Sequence, residues 1–237
     1  MIVTLIQPNW AAPSNVQAFV TTRFYQGRDF NLATHVGDDL NKVLHNRQIL
    51  REILSLPAEP AWLEQIHGCD ACEIPLQNQA IADASYTSQK GQVCAILTAD
   101  CLPILLCDLK GEMVAAIHAG WRGLVNGVIE NCFKQAGFLP NKTLAYLGPA
   151  ISQKAFEVGE EVREEFLKYD PRATAAFMPK QEKWLADLYV LATQRLNALG
   201  VSQIFGGQFC TFSQPELFYS YRRDKQTGRM ASLIWLK

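Results

Sequence analysis

The sequence predicts an α/β (α+β) fold, with mixed β-sheets layered with helices as a sandwich, in a single domain over residues 1–237. Three observations carry that expectation. Short apolar runs of strand character recur, most plainly VCAILT (93–98), PILLCD (103–108) and MVAAIH (113–118). Helical stretches lie among them without the regular strand–helix–strand rhythm of a doubly wound parallel sheet. No repeat, low-complexity tract or Pro/Ser-rich linker divides the chain.

Each element has a local reason. VQAFVTT (16–22) alternates as a strand and runs into the polar loop RFYQGRDFNLATHVGDD. Asp38 or Asp39 can cap a following helix, whose Leu40, Val43, Leu44, Leu50 and Leu54 suit one buried face, and Pro57 closes it. AWLEQIHG is a short extended segment. The runs 93–98 and 103–108 read as buried strands broken at Ala99, Asp100 and Cys101, and 113–118 as a third. A helix follows from about Trp121 to Ala136, stopped by Gly137. TLAYLG is a strand, helices are expected near 158–169 and 183–199, and the end of the chain reads as extended segments joined by polar turns.

Composition narrows the function. Apolar residues make up 49%, enough for a sizeable core, and the net charge of −1 comes without any basic run, so no footprint for nucleic acid is present. The N-terminal stretch lacks a cationic region, and no segment approaches the ~18 continuous apolar residues of a membrane span. Seven cysteines, an odd number dispersed along the chain, point to reduced thiols and a cytoplasmic location rather than a disulfide framework.

His67, Cys101 and His118 stand at the ends of three strand-like segments, which can converge on one rim of a sheet. One thiolate and two imidazoles make a zinc tripod, and three protein ligands leave a coordination position open, the pattern of a catalytic site. Gaps of 34 and 17 residues match no compact zinc signature, so a hydrogen-bonded core histidine and a small buried thiol compete with that reading.

WLEQIHG, TADCLPILLCD and AAIHAGWRG, in that order, resemble the YfiH-type laccase-domain family, also called multicopper polyphenol oxidases. NLATHVGDD, LGPAI and SYRRDKQTGRMASLIWL extend the resemblance over nearly the whole chain. It implies a YfiH-like sandwich and one zinc ion held by His67, Cys101 and His118. It also implies phosphorolysis of adenosine, inosine and S-methyl-5′-thioadenosine, with adenosine deaminase activity. The partners expected are therefore purine nucleosides and phosphate, and the chain is expected to be a monomer or homodimer. Copper oxidation does not fit, because a multicopper relay needs many more histidines than His35, His45, His67 and His118. Cu2+ can still replace Zn2+ in one N/S-ligated site.

Other residues take expected roles. Arg122, at a strand–turn–helix junction, offers a planar fork for phosphate, against a surface ion pair. Asp100 is the carboxylate nearest the proposed zinc in sequence, a candidate proton shuttle for deamination or a loop anchor. The resemblance places the loop with Arg23, Asn31 and His35 beside the site, where they could bind substrate phosphate or sugar, against a role in loop structure and helix capping that Asn31 suits slightly better. Arg222 and Arg223 offer a further anion contact, or a solvated turn. Cys69 and Cys72 form a C-x-x-C pair, read as incidental thiols. Three other functions remain open: a cysteine hydrolase with Cys101 as nucleophile and His67 or His118 as base, a metal-stabilised binding or scaffold protein without turnover, and peptidoglycan-precursor editing.

Overall fold

The computed structural model describes residues 5–237. The chain opens with β1 (Leu5–Ile6), β2 (Val16–Thr21), the small hairpin β3 (Phe24–Tyr25) and β4 (Arg28–Asp29), then helix α1 (Leu40–Leu54). Next come β5 (Ala71–Glu73), β6 (Ala84–Thr87), β7 (Val93–Thr98), β8 (Leu102–Asp108) and β9 (Val114–Ala119). Helices α2 (Trp121–Asn126) and α3 (Val128–Ala136) lead into β10 (Thr143–Leu147), β11 (Glu157–Val158) and α4 (Glu160–Tyr169). The remainder is β12 (Phe177–Lys180), β13 (Lys183–Ala186), α5 (Leu188–Leu199), β14 (Gln203–Gly206), α6 (Tyr221–Asp224) and β15 (Met230–Leu236).

Two sheets stack face to face: β1-β2-β15-β7 and the mixed six-stranded β14-β10-β8-β9-β6-β5. Side chains alternate along each strand, so one run feeds two cores. From β7, Cys94 and Ile96 meet Leu105, Val114 and Tyr146 between the sheets, while Val93, Ala95 and Leu97 pack with Leu50 of α1 on the outer side. From β8, Leu102, Ile104 and Leu106 turn the other way and join Ile129 and Phe133 of α3 and Leu191 of α5. The layers are thus helix, sheet, sheet, helices. That explains why the sheet runs are continuously apolar: both faces of each central strand are buried.

The predicted mixed-sheet sandwich is the observed fold, with several local corrections. Asp39 caps α1, accepting from the backbone N–H groups of Asn41 and Lys42. The buried face of α1 is Val43, Asn46 and Leu50, whereas Leu40 and Leu44 are exposed. The single helix expected from Trp121 to Ala136 is two, because Gly127 at φ +88 turns the chain between α2 and α3. Residues 183–186 are strand β13, paired antiparallel with β12, rather than the start of a helix; α5 begins only after its cap at Asp187. The last polar segment contains the short helix α6, capped by Ser220.

Sheet register brings the candidate ligands together. In the β8–β9 hairpin Leu102 pairs with Ala119 and Pro103 with His118, so Cys101, one residue ahead of β8, comes level with Gly120. β6 lies on the other side of β9, with Ala84 opposite Ile117, which sets Asp83 beside His118. The loop carrying His67 precedes β5, the neighbour of β6.

Candidate metal centre and its pocket

The donor atoms of His67, Cys101 and His118 all lie within 4.8 Å of one another. The thiol Sγ of Cys101 is 3.8 Å from His67 Nε2, and the two imidazole rings meet edge-on with centroids 4.8 Å apart. His118 is buried and His67 exposed, so the cluster is closed on the sheet side and open on the other. Two imidazoles and a thiolate suit zinc or copper, and three ligands leave room for a fourth.

Behind the cluster sits Asp83, fully buried. Its Oδ1 is 2.7 Å from His118 Nδ1 and accepts the backbone N–H of His67 at 3.0 Å. Its Oδ2 accepts from Gly68 at 2.6 Å and Ile66 at 3.2 Å. Burial alone would raise this carboxyl, but His118 and the backbone donors outweigh it and hold Asp83 below the usual carboxylate range. Leaving such a buried charge without its partner costs about 3–5 kcal/mol.

The same geometry charges the thiol. Burial pushes Cys101 up, but His118 and His67 outweigh it and bring it down to about 6. Burial pulls His118 down, while the Cys101 thiolate and Asp83 raise it to about 9. The opposite shifts favour the thiolate–imidazolium form of the pair. Burial pushes Cys72 up to about 11 and Cys94 and Cys107 up to about 12, leaving them as inert thiols. In chelator-stripped protein, peptide mapping after iodoacetamide should show Cys101 modified with a midpoint near pH 6, slower below it and level above it. Added zinc should protect it. A midpoint near the ordinary thiol value would refute the ion pair.

The cluster opens into a cavity of about 410 Å³ lined by His35, Asp100, Arg122, Arg222 and Arg229, with Trp121, Ile151, Phe156, Leu188 and Tyr221 as apolar and aromatic wall. Arg122 is exposed; its guanidinium lies 4.3 Å from the Trp121 ring centroid and has no ion-pair partner among the described residues. Arg222 Nη1 donates to the Glu157 carbonyl at 3.0 Å. Arg229 Nη1 donates to the carbonyls of Thr227 and Gly228. His35 is held below its usual range by burial and by the charges of Arg229 and Arg47. Among the described residues Asp100 is the only carboxylate that lines the cavity.

Asp100 has φ +93, and both its oxygens are taken: Oδ1 by the Thr211 hydroxyl and Oδ2 by the Arg222 backbone N–H, each at 2.6 Å. That is the geometry of an anchor rather than a proton shuttle. Arg23 and Asn31 do not line this cavity; they border a separate, smaller one. Arg23 donates to the Pro215 carbonyl and Asp29. Asn31 is buried and accepts from the backbone N–H groups of Ala33 and Arg229, so it reaches the site only through Arg229. Arg223 is a structural hub, donating to the carbonyls of Thr211, Phe212 and Phe218. Asp83, Arg229, Phe156 and Tyr221 were not visible as site residues in the sequence. Asp83 does leave one signal, a lone acid at the head of an otherwise uncharged strand, ASYT.

Fold and site together define a class: an α/β sandwich whose central sheet carries a His2Cys cluster at the edge of a cationic pocket. Residues 17–237 match the family described as multi-copper polyphenol oxidoreductase laccase, and the chain belongs to that family. It is 50% identical over 241 residues, covering 98% of both chains, to a protein of Escherichia coli K12 named purine nucleoside phosphorylase YfiH. A Haemophilus influenzae protein named purine nucleoside phosphorylase is 48% identical, with 98% of this chain and 99% of the other covered. The crystal structure of Neisseria meningitidis NMB0706 superposes with a TM-score of 0.95 at 45% identity, over 99% of this chain and 100% of that one. YlmD of Geobacillus stearothermophilus gives 0.87 at 27% identity, over 94% and 93%. Among the described residues no helix is long and apolar enough to cross a membrane.

Proposed function

We propose that this protein is a zinc-dependent purine nucleoside phosphorylase of the cytosol, acting on adenosine, inosine and S-methyl-5′-thioadenosine, with adenosine deaminase side activity. The observation that carries the reading is that arginines and aromatic side chains line one cavity beside the His2Cys cluster. The similarity to proteins named purine nucleoside phosphorylase supports it.

The residues divide the work. Arg122, Arg222 and Arg229 bind and orient phosphate by planar, charge-assisted hydrogen bonds. Trp121, Phe156 and Tyr221 offer faces for a purine ring. Asp100 fixes the start of α6 and with it Arg222, while His35, which lines the same cavity, would bind the ribose. His67, Cys101 and His118 would hold the metal, which when bound supplies Lewis-acid stabilisation of an oxygen anion. Zinc suits the donors without redox chemistry, and four histidines in the chain fall short of a multicopper relay.

Phosphate-dependent release of adenine from adenosine is the test. Arg122→Ala should raise the KM for phosphate by about tenfold, the effect of losing one charge-assisted hydrogen bond of about 1.5 kcal/mol, with the KM for nucleoside little changed. Adenosine turnover to inosine without adenine would leave only the deaminase part standing.

One observation favours a second reading. Asp83, His118 and Cys101 form the orienter–base–nucleophile line of a cysteine hydrolase. A second imidazole on the same sulfur is surplus to that chemistry and is what a metal needs. Zinc that protects Cys101 from alkylation and supports turnover favours the phosphorylase; zinc that inhibits turnover favours the hydrolase.

A further inference from the structure

We propose that Asp83 is the positioning residue of the metal cluster: one buried carboxylate that sets both the His67 loop and the His118 ring in ligating geometry. The inference rests on the metal reading above and extends it to a residue outside the ligand set.

Two observations carry it. First, Asp83 accepts from four donors at once, His118 Nδ1 and the backbone N–H groups of Ile66, His67 and Gly68, with no exposure to solvent. Second, His67 has φ +61, a left-handed backbone that a non-glycine residue holds only when its surroundings impose it. The three consecutive N–H groups donated to Asp83 are those surroundings. Accepting the Nδ1 proton of His118 leaves Nε2 of that ring as the electron-pair donor on the side of Cys101 and His67. His67 and His118 are 51 residues apart in sequence, and the Asp83 carboxylate is hydrogen-bonded to both.

The backbone just ahead of β6 secures Asp83. Its backbone N–H donates to Asp70 and its carbonyl accepts from the His118 N–H at 2.7 Å, so carboxylate and carbonyl both hold His118. An amide has nearly the shape of this side chain but only one acceptor oxygen for four donors.

The test titrates Co2+ into chelator-stripped, full-length chains and follows the thiolate-to-cobalt charge-transfer band. Wild type should bind one Co2+ per chain. Asp83→Asn should bind about 10–100-fold more weakly, the usual effect of losing a ligand's outer hydrogen-bond partner. Normalising to the folded fraction by near-UV circular dichroism removes a purely structural loss. Wild-type affinity in folded Asp83→Asn overturns the proposal. A second readout needs no variant: in zinc-loaded wild type, nitrogen-15 spectra should place the His118 proton on Nδ1, and a proton on Nε2 overturns it equally. Should wild type bind no Co2+, it is the metal reading itself that fails; should it bind while Asp83→Asn binds equally, only the role of Asp83 fails.

Discussion

Cys101→Ser is expected to leave the chain folded, bring bound zinc from about one per chain to near none, and cut phosphate-dependent adenine release at least about 100-fold. The size follows from what the sulfur does. Loss of an outer-shell partner alone costs about 10–100-fold in affinity or activity, and Cys101 is the only anionic donor of the cluster. A serine hydroxyl has nearly the thiol's volume but stays protonated at neutral pH, so it offers neither the charge nor the soft donor. The fold should survive because Cys101 is only partly buried and stands outside the hydrophobic cores of the sheets. Elemental analysis and phosphorolysis on the same preparation give the answer. A variant that keeps stoichiometric zinc and full turnover would end the metal mechanism.

The parts of this molecule that sequence could reveal are those where local pattern decides. β7, β8 and β9 were readable because each is buried on both faces, which writes a continuous apolar run into the chain. The caps at Asp39 and Gly137 were readable from their own chemistry. Residues 183–186 were not, since KWLA becomes a strand by pairing with Phe177–Lys180 on one side and Glu157–Val158 on the other. Leu40 and Leu44 fit a helical stripe, yet the face that α1 buries is Val43, Asn46 and Leu50 instead.

The site divides in the same way. His67, Cys101 and His118 were named through a resemblance, because spacing could not show that the hairpin register levels Cys101 with Gly120. Asp83 and Arg229 matter through partners 35 and 198 residues away, a relation no local pattern carries. Arg23 and Asn31 were placed beside the site by their loop, but the side chains themselves line a neighbouring cavity.

Gly120→Ala is expected to weaken metal binding by on the order of 10–100-fold, the range for disturbing a ligand's outer support, while changing overall stability by no more than about 1 kcal/mol. Gly120 has φ −64 and ψ 161, an extended backbone that any residue adopts, so alanine brings no backbone strain. The effect comes from space. A Cβ there would sit 3.0 Å from His67 Cδ2 and 3.2 Å from Cys101 Sγ, tighter than ordinary contact with two of the three ligands at once. Neither can yield freely: His67 is tied through its backbone to Asp83, and Cys101 lies where Asp100 has locked the turn into β8. A few tenths of an ångström must therefore come from the cluster itself, spreading thiol and imidazole apart. Zinc affinity by competition with a chromophoric chelator, alongside thermal melting of the metal-free chain, separates the two effects. Unchanged affinity would mean that the ligands move together without cost, and that the close approach of HAGWRG to the cluster serves packing alone.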